Sequence, residues 1–377
     1  MNRREFLRGS GLLATQAVVG SSLFTLGCDW TWFGALEPPD ENGIRLPPGF
    51  RSRLLARSGD EVAATGFVWP GAPDGGATFP YEGGWIYVSN SELLFGGGVG
   101  ALRFSESGEL ADAYSICSGT RRNCAGGATH WGTWLTCEEV GNGWVFECDP
   151  TGVAPPVRRP ALGRFQHEAV AVDLEGRLYL TEDRRDGRFY RFLPNAWGRL
   201  DAGVLQVAER YDEGRVRWHP VPFPAPPPGV PATRHQVPAS TAFNGGEGVV
   251  YDRGRVFFTT KGDDRVWRLD IDEQRIEPIY DRATDPLGGV LSGVDNVTVS
   301  PAGDLLVAED PGNLEIVMLR EGRALPLLRV VGQTGSELAG PAFDPSGERL
   351  YFSSQRGSDG RGLTYEVSGP FERLGAL

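Results

Sequence analysis

The sequence is poor in the residues and motifs on which many familiar enzyme sites are built. It has only four histidines, none of them in the H-x-x-x-H spacing of zinc enzymes. It has no G-x-S-x-G nucleophile motif, no Walker motif and no Rossmann glycine motif. These absences argue against a zinc hydrolase, a serine hydrolase and a nucleotide-dependent enzyme.

Positive charge and long apolar runs are also in short supply. The chain has 37 Lys and Arg residues against 49 Asp and Glu residues, which gives a formal net charge of −12 at pH 7. Such a chain is unsuited to binding nucleic acid or an anionic lipid surface, but it is compatible with binding cations. Beyond the N-terminal segment, no run is long and apolar enough to span a bilayer.

The N-terminal segment, residues 1–27, has the pattern of an export signal. Arg3 and Arg4 precede an apolar run that is too short and too rich in Gly, Ser and Thr for a spanning helix. The arginine pair resembles that of a twin-arginine signal, a route used by proteins that fold before they cross the membrane. An ordinary secretory signal with a chance arginine pair is the alternative. We expect a periplasmic or otherwise extracytoplasmic protein.

The apolar run ends at Gly27-Cys28, which resembles a lipoprotein cleavage site. Thr25 departs from that pattern, which prefers leucine there, so the lipidation of Cys28 stays open. A lipidated Cys28 would attach the protein to the membrane. Residues 28–44 are then interpreted as a tether.

From residue 45 onward, a strand-forming motif recurs along a chain that has 53 glycines and 28 prolines. Each copy has a turn, a β-rich run and a polar or acidic residue where the run ends. The copies are spaced by about 45 to 48 residues, with one gap of about 78, which is typical of propeller blades. The β-rich runs fall near residues 84–89, 132–137, 177–182, 255–260, 304–309 and 348–353.

This repeat predicts an all-β fold, a six-bladed β-propeller over residues 45–377, with these runs as the innermost strands. Residues 50–59 are expected to close the ring by adding a strand to the C-terminal blade. A β-sandwich with similar hairpins is the alternative, but a sandwich would not require the recurrence. The long gap holds a proline-rich insertion near 193–241, which we interpret as a surface excursion because proline cannot donate a ladder hydrogen bond.

Acidic residues lie where the runs end and on the segments just before them. In a propeller these positions converge at the channel mouth, where carboxylates would repel one another strongly unless cations neutralised them. Oxygen-rich sites of this kind suit Ca²⁺. The alternative is that each acid only accepts hydrogen bonds from the backbone at a strand end. The candidates are Glu138, Glu139, Glu168, Glu182, Asp183, Glu247, Asp295, Glu309 and Asp310.

One segment, NCAGGATHWGTWLTCEE at residues 123–139, carries a family resemblance. Together with GRFQHEAVAVD, YLTED, YRFLP and GPAFDPSGERLYFSSQ, it resembles the secreted PhoX-type alkaline phosphatases, from about residue 45 to about residue 370. The resemblance implies a six-bladed propeller, exported by the twin-arginine route, that carries Fe³⁺ and Ca²⁺ at the channel mouth and hydrolyses phosphoesters.

The resemblance also implies roles for individual residues. Cys124 would be the thiolate ligand of iron, and Glu139 a ligand of calcium or iron. No side-chain nucleophile is implied, because the metal ions would supply both a Lewis acid and the attacking oxygen species. We expect a small phosphorylated substrate and a monomeric protein. The resemblance also makes Glu168, Glu182, Asp183 and Glu247 candidate metal ligands, and the pattern of acids at the strand ends adds Asp295 and Glu309.

A disulfide is the alternative role for Cys124, since exported cysteines often pair. Its partner would be Cys117, Cys137 or Cys148, and Cys137 and Cys148 could also join the two strands of a hairpin.

The chain departs from the family at the expected phosphate clamp. Where the family usually has Arg-x-Glu, this chain reads NGGEG, so Gly245 replaces the arginine that would hold the substrate phosphate as a bidentate fork. His130 replaces a common proline. Lys261 and His130 are the candidate substitutes for binding the substrate.

Two other functions stay open. A calcium-dependent lactonase or phosphotriesterase also uses a six-bladed propeller, and Asp295-Asn296 would anchor its calcium. A non-catalytic binding module would use metals only to hold the blades together.

Overall fold

The computed structural model describes residues 30–320 and 322–372. Within these ranges the chain forms β-strands and five short 3₁₀ turns, and no α-helix. None of these helical turns is long and apolar enough to cross a membrane. The predicted export signal, residues 1–27, and Cys28 lie outside the described residues, so their roles stay predictions.

The strands of the first half are β1 (Trp30–Thr31), β2 (Gly34–Ala35), β3 (Ile44–Arg45), β4 (Arg51–Arg57), β5 (Pro73–Tyr81), β6 (Gly84–Ser91), β7 (Gly97–Phe104), β8 (Leu110–Thr120), β9 (Gly127–Ala128), β10 (Trp134–Cys137), β11 (Val145–Cys148), β12 (Val157–Arg158), β13 (His167–Val172) and β14 (Leu178–Glu182). Those of the second half are β15 (Phe189–Pro194), β16 (Gly203–Tyr211), β17 (Arg215–Pro220), β18 (Gly246–Asp252), β19 (Arg255–Thr260), β20 (Arg265–Asp270), β21 (Arg275–Asp281), β22 (Val294–Val299), β23 (Leu305–Glu309), β24 (Glu315–Arg320), β25 (Arg323–Val330), β26 (Leu338–Phe343), β27 (Arg349–Ser354) and β28 (Leu363–Ser368). The 3₁₀ turns are Pro160–Leu162, Asp212–Gly214, Thr233–His235, Lys261–Asp263 and Arg282–Thr284.

These strands form an all-β, propeller-like fold. Antiparallel meanders follow one another along the chain as β5–β8, β9–β12, β13–β17, β18–β21, β22–β25 and β26–β28. The third and fourth meanders form one nine-stranded sheet, which is joined by the single residue pair Arg215 in β17 and Arg275 in β21. Tight turns make the meanders possible; Gly176 and Gly303, with φ of 82° and 93°, stand in turns that a side chain would strain.

Strands from the start of the described chain complete two later sheets. β4 pairs with β28, from Leu363 opposite Arg57 to Ser368 opposite Arg51. The closure predicted for residues 50–59 is therefore confirmed. β3 pairs with β25 in the same way. Both pairings cover sheet edges that would otherwise expose unpaired backbone groups.

Part of the segment interpreted as a tether packs on the protein. Trp32 and Phe33 lie against a core cluster of the β22–β25 and β26–β28 sheets, and Leu36 is buried. The guanidinium of Arg320 lies 5.3 Å from the ring centroid of Trp32. This stretch is held against the fold and does not extend into solvent.

The first strand of each meander lines a central channel, whose cavity measures about 370 Å³. The lining strands are β5, β9, β13, β18, β22 and β26. The runs predicted to be innermost are in fact the second strands β6, β10, β14, β19, β23 and β27, so that prediction is wrong by one strand. Side-chain size explains the error. The backbones converge at the channel, so its strands contain mainly Gly, Ala and Val and give a weak strand signal in the sequence. The conspicuous aromatic residues instead fill the space between meanders, where Tyr87 stacks on Tyr351 at 4.9 Å and Phe189 on Phe258 at 4.2 Å.

The insertion near 193–241 is only partly the surface excursion that was predicted. Its first part forms β16 and β17, which extend the third meander outward. The proline-rich remainder is irregular, but it is fastened near the channel mouth. The buried Thr233 donates its hydroxyl to the carbonyl of Arg164 at 3.2 Å, and Arg234 pairs with Glu182 at 3.2 Å.

Candidate functional site

A ring of polar side chains surrounds one end of the channel. Each member lies at the start of a channel strand or just before it, and several strands have a β-bulge at or just after that position. A bulge turns one side chain out of the regular alternation, which here aims it into the mouth. The inner ring consists of Asp74, Cys124, Glu168, Glu247, Asp295 and Glu337.

A second ring surrounds the first, built from residues that follow the second strand of each meander. The outer ring consists of Glu92, Glu139, Asp183, Lys261, Asp310 and Gln355. Arg122 and Arg356 complete the wall of a mouth cavity of about 210 Å³. The cavity therefore has nine carboxyl groups and three cationic side chains, and full ionisation would leave a net charge of −6.

The ligand atoms of the rings fall into four overlapping triads that could hold metal ions. Within each triad, the three ligand atoms lie within 4.8 Å of one another. Because neighbouring triads share Glu168, Asp295 or Glu337, they form a continuous arc around the mouth. The triads are Cys124–Glu139–Glu168, Glu168–Glu247–Asp295, Asp295–Asp310–Glu337 and Asp74–Glu92–Glu337.

The protein alone does not favour ionisation of four carboxyl groups of these triads, Asp74, Glu139, Glu168 and Glu337. Burial, and then the neighbouring carboxylates, raises the pKa of Asp74 to about 8 and the pKa of Glu168 well above its ordinary value. Burial and Asp183 raise the pKa of Glu139 to about 8, while burial and Asp310 raise the pKa of Glu337 to about 10. Cations in the mouth would reverse these shifts by stabilising the charged forms.

Two buried atoms in the mouth have no hydrogen-bond partner among the described residues. They are Oε1 of Glu247 and Oε1 of Gln355, and these residues are 2 % and 1 % exposed. Lys261 Nζ lies 3.2 Å from Oε1 of Glu247, but not in hydrogen-bonding geometry. A buried oxygen atom without a hydrogen bond costs free energy unless a ligand contacts it. Both atoms are therefore suited to coordinating a cation.

The glycines of the CAGG segment allow the backbone beside Cys124 to lie deep in the channel. A Cβ on Gly126 would lie 2.5 Å from the carbonyl oxygen of Leu135, and one on Gly127 would lie 1.7 Å from that of Val170. Cys124 itself is fixed by its amide, which donates to the carbonyl of Cys137 at 3.0 Å. Burial and nearby carboxylates raise the pKa of the Cys124 thiol well above its ordinary value, so the thiolate form needs a cation beside it.

The three cations of the mouth differ in how firmly they are held. Lys261 Nζ lies 2.8 Å from Asp310, 3.2 Å from Glu247 and 4.0 Å from Asp295. Burial alone would lower the pKa of Lys261, but these carboxylates outweigh it and raise the pKa above its ordinary value. Arg122 and Arg356 lie at the rim, with side chains that are 44 % and 47 % exposed.

Most of the residues selected from the sequence meet in this mouth, but Glu138, Glu182, Glu309 and His130 do not. Glu138 accepts hydrogen bonds from the backbone amides of Arg121 and Trp144 at 3.0 and 3.1 Å. Glu309 accepts hydrogen bonds from the backbone amides of Ser292, Asn313 and Glu315 at 2.9 to 3.1 Å. Glu182 accepts hydrogen bonds from the backbone amide of Arg188 at 3.2 Å and from the hydroxyl of Tyr190 at 2.8 Å. The backbone-binding alternative therefore describes these three acids. Those that do meet are Cys124, Glu139, Glu168, Asp183, Glu247, Lys261, Asp295 and Asp310.

His130 lies along the channel wall, outside the mouth. Its Nε2 is 2.9 Å from the carbonyl oxygen of Val172, and its ring packs edge-on against Tyr251. The segment from Cys124 to His130 runs down the channel, which separates the two residues. The structure therefore gives His130 no contact with a substrate in the mouth.

Sequence reasoning missed several residues of the mouth. Asp74, Glu92 and Glu337 were not selected, and neither were Arg122 and Arg356. A signal was present, because inner-ring residues tend to precede small residues, as in DGG, CAGG, EAVAV and EGVV.

The cysteines do not form the hairpin disulfide considered from the sequence. Cys137 is opposite Val145 and Cys148 is opposite Trp134, so the two thiols lie at different ends of the β10–β11 pair. Cys148 instead lies within hydrogen-bonding reach of Cys117 on the neighbouring meander. All four described cysteines are unpaired as disulfides.

Gly245 has a φ of 70°, and a Cβ there would lie 3.3 Å from the amide nitrogen of Gly262. An arginine at this position would therefore strain the backbone.

Comparison with known proteins gives one family match. The sequence model of the family described as alkaline phosphatase PhoX matches residues 89–270, a range that includes Cys124, Glu139, Glu168 and Glu247. The resemblance to the PhoX family is confirmed. The match supports a phosphoester hydrolase, because PhoX is a family of alkaline phosphatases. No curated protein sequence matches the chain.

Solved structures resemble the whole fold. A structure of Pseudomonas fluorescens PhoX, in complex with vanadate as a transition-state analogue, matches with a TM-score of 0.73 at 16% identity, over 89% of this chain and 97% of that chain. A Bacteroides thetaiotaomicron protein of unknown function matches with a TM-score of 0.55 at 11% identity, over 89% and 84% of the two chains. A Xanthomonas campestris gluconolactonase matches with a TM-score of 0.50 at 13% identity, over 91% and 100%. At these identities the similarity shows the fold alone.

Proposed function

We propose that this protein is an exported, metal-dependent phosphoester hydrolase of PhoX type, with its active site in the ringed mouth of a six-bladed propeller. The observation that carries the proposal is the triad of Cys124, Glu139 and Glu168. Their ligand atoms lie within 4.8 Å of one another, and they belong to the segment that the PhoX family model matches. The count of six blades is supported by the six channel strands, if the nine-stranded sheet is taken as two blades.

The ring residues fit hard cations and one thiolate-binding ion. We assign Fe³⁺ to the triad with Cys124, because a trivalent ion best offsets the cost of a buried thiolate. The three all-carboxylate triads suit Ca²⁺. Bound metal ions would supply Lewis-acid polarisation of the phosphoryl group.

The chain's own residues orient this site and direct the substrate to it. Gln166 Nε2 donates to Glu139 at 2.7 Å and to Asp183 at 3.2 Å, which holds both carboxylates toward the mouth. No Ser, Thr or His is among the described residues that line the mouth, so no side chain there matches the usual nucleophile–base pair. The channel below the rings is lined mainly by Gly, Ala and Val and offers a phosphate few polar contacts. A phosphorylated substrate would therefore approach the rings from the solvent side of the mouth.

The lactonase alternative receives less support from the geometry. Asn296, its expected calcium ligand, donates Nδ2 to Asp295 at 2.7 Å and accepts the amide of Gly340 through Oδ1 at 2.6 Å. Both polar ends of Asn296 are therefore occupied. The similarity to a gluconolactonase structure does not decide between the functions, because it extends only to the fold.

Hydrolysis and metal content together test the proposal. Protein loaded with iron and calcium should hydrolyse an aryl phosphate at alkaline pH, and Glu168→Gln should abolish turnover and lower the metal content. Glu348→Gln is the matched control, because Glu348 is exposed and lies outside the mouth. Calcium without iron, together with lactone hydrolysis, would favour the lactonase, and the absence of any bound metal would favour a binding module.

Export and membrane attachment are separate parts of the proposal. Replacement of Arg3 and Arg4 by lysine should leave the protein in the cytoplasm if the twin-arginine route is used. Cys28→Ser should release the protein from membrane fractions if Cys28 is lipidated. Elution volume in size-exclusion chromatography tests the expected monomer.

A further inference from the structure

We propose that Arg122 and Arg356 form an anion clamp that binds the phosphoryl group of the substrate at the rim of the mouth. This inference rests on the proposed function. Substrate recognition is thereby assigned to two residues outside the candidates predicted from the sequence, and not to Lys261 or His130.

The two guanidiniums converge on a single carboxylate. Arg122 Nη1 lies 3.5 Å from Oε1 of Glu92, and Arg356 Nη2 lies 3.1 Å from Oε2 of the same residue. The arginines come from different meanders, since Arg122 precedes Cys124 and Arg356 follows β27. Glu92 thus lies between two cations in the manner of a bound oxyanion.

Both arginines keep donor capacity for a ligand. Arg122 is held loosely, with contacts of 3.5 Å to Glu92 and 3.8 Å to Glu139. Arg356 is fixed more firmly through a 2.6 Å contact of Nη1 with Glu337, which orients its guanidinium. Each guanidinium carries five donors, more than these carboxylates use, and about half of each side chain is exposed on the solvent side of the cavity.

Lys261 is the least available cation of the mouth. Its ammonium has three hydrogens, and carboxylates of Asp310, Glu247 and Asp295 lie at 2.8, 3.2 and 4.0 Å. Its position in the outer ring, where four of the other members are acids, makes it an internal counter-ion of the rings. Displacing it would leave three carboxylates with less compensation.

The ligand that fits the clamp is a tetrahedral oxyanion with two or more negative charges, such as the phosphate of a monoester. Planar guanidinium forks match the oxygen spacing of phosphate, and two forks from opposite sides can engage different oxygens. The clamp lies beside the triads, so that a phosphoryl group held there would face the metal-binding carboxylates.

Calorimetric titration with inorganic phosphate tests the clamp on the metal-loaded full chain. The Arg122→Gln and Arg356→Gln variants keep a polar side chain, which is shorter, and remove the charged guanidinium. Each should weaken phosphate binding by about tenfold or more, and the double variant should weaken it further. Arg184→Gln is the matched control, because Arg184 is an exposed arginine that directly follows Asp183 but does not line the mouth.

Kinetics with an aryl phosphate provide the second readout. The variants should raise KM more than they lower kcat, and Arg122→Lys should recover part of the loss, because its charge remains without the fork. Thermal unfolding and metal content should match the wild type.

The outcomes separate this inference from the proposed function. If the double variant bound phosphate as tightly as the wild type, the clamp would be overturned, but the proposed phosphatase function would not. Metal-loaded wild-type protein that binds no phosphate would overturn the clamp and count against a phosphatase. Equal binding of a monocarboxylate such as acetate would overturn the assignment to a phosphoryl group.

Discussion

Removal of metal ions should make the stability of this protein fall steeply as pH rises. Asp74, Glu139 and Glu337 have pKa values raised to about 8, about 8 and about 10, chiefly by burial. In the unfolded chain these groups ionise near their ordinary values of 3.8 and 4.5. Between about pH 5 and pH 8, the folded metal-free protein therefore holds protons that the unfolded chain releases.

The size of the effect follows from proton linkage. Each group that releases its proton only on unfolding costs about 1.4 kcal/mol of unfolding free energy per pH unit as pH rises. These three groups alone give a slope of about −4 kcal/mol per pH unit, and Glu168 and Glu247, whose pKa values burial also raises well above the ordinary range, add to it. Over two to three units this is comparable to the whole stability of a typical domain, about 5 to 15 kcal/mol.

Urea denaturation of chelated protein between pH 5 and pH 8 measures this slope. Calcium should flatten it, because a bound cation stabilises the ionised carboxylates. Asp74→Asn, Glu139→Gln or Glu337→Gln should each reduce the slope by about 1.4 kcal/mol per pH unit, whereas Glu348→Gln should not change it. A chelated protein whose unfolding free energy stays constant or rises over this range would refute the reasoning.

Three further substitutions have distinct expected outcomes. Protein isolated with iron should be coloured by thiolate-to-iron charge transfer, and Cys124→Ser should bleach it while Cys137→Ser does not; a visible spectrum unchanged by Cys124→Ser would contradict the ligand assignment. Glu309→Gln should lower the unfolding free energy by about 2 kcal/mol, because one of the backbone amides bound to its carboxylate loses an acceptor, yet metal content should stay the same. Gly245→Arg should reduce the yield of folded protein and not restore a phosphate ligand, because of the φ of 70° and the 3.3 Å approach of Gly262; a well-folded variant with tighter phosphate binding would show that the backbone accommodates the side chain.

The sequence repeat was sufficient to predict the class of fold but not which strand lines the channel. The second strands are easy to recognise in the sequence because they contain bulky residues such as Tyr87 and Tyr351. These residues are bulky because they fill the space between meanders. The channel strands are short of such residues, since backbones approach closely there. The strand that positions the site is therefore the one with the weaker strand signal.

Neighbouring acids at a strand end also cannot be told apart from the sequence. Glu182 and Asp183 are consecutive, so their side chains point to opposite sides, and only Asp183 lines the mouth. Asp74 was missed because it lies upstream of the first conspicuous run. Cys124 could be predicted because the glycines that follow it allow a close backbone approach, which leaves a recognisable pattern in the sequence.

The most direct test of the account is hydrolysis of an aryl phosphate by purified protein before and after exhaustive chelation, with metal content measured on the same samples. Turnover at alkaline pH should disappear with the metal ions and return when iron and calcium are restored. A protein that carries iron and calcium but hydrolyses no phosphoester, or one that keeps its activity after both metals are removed, would contradict it.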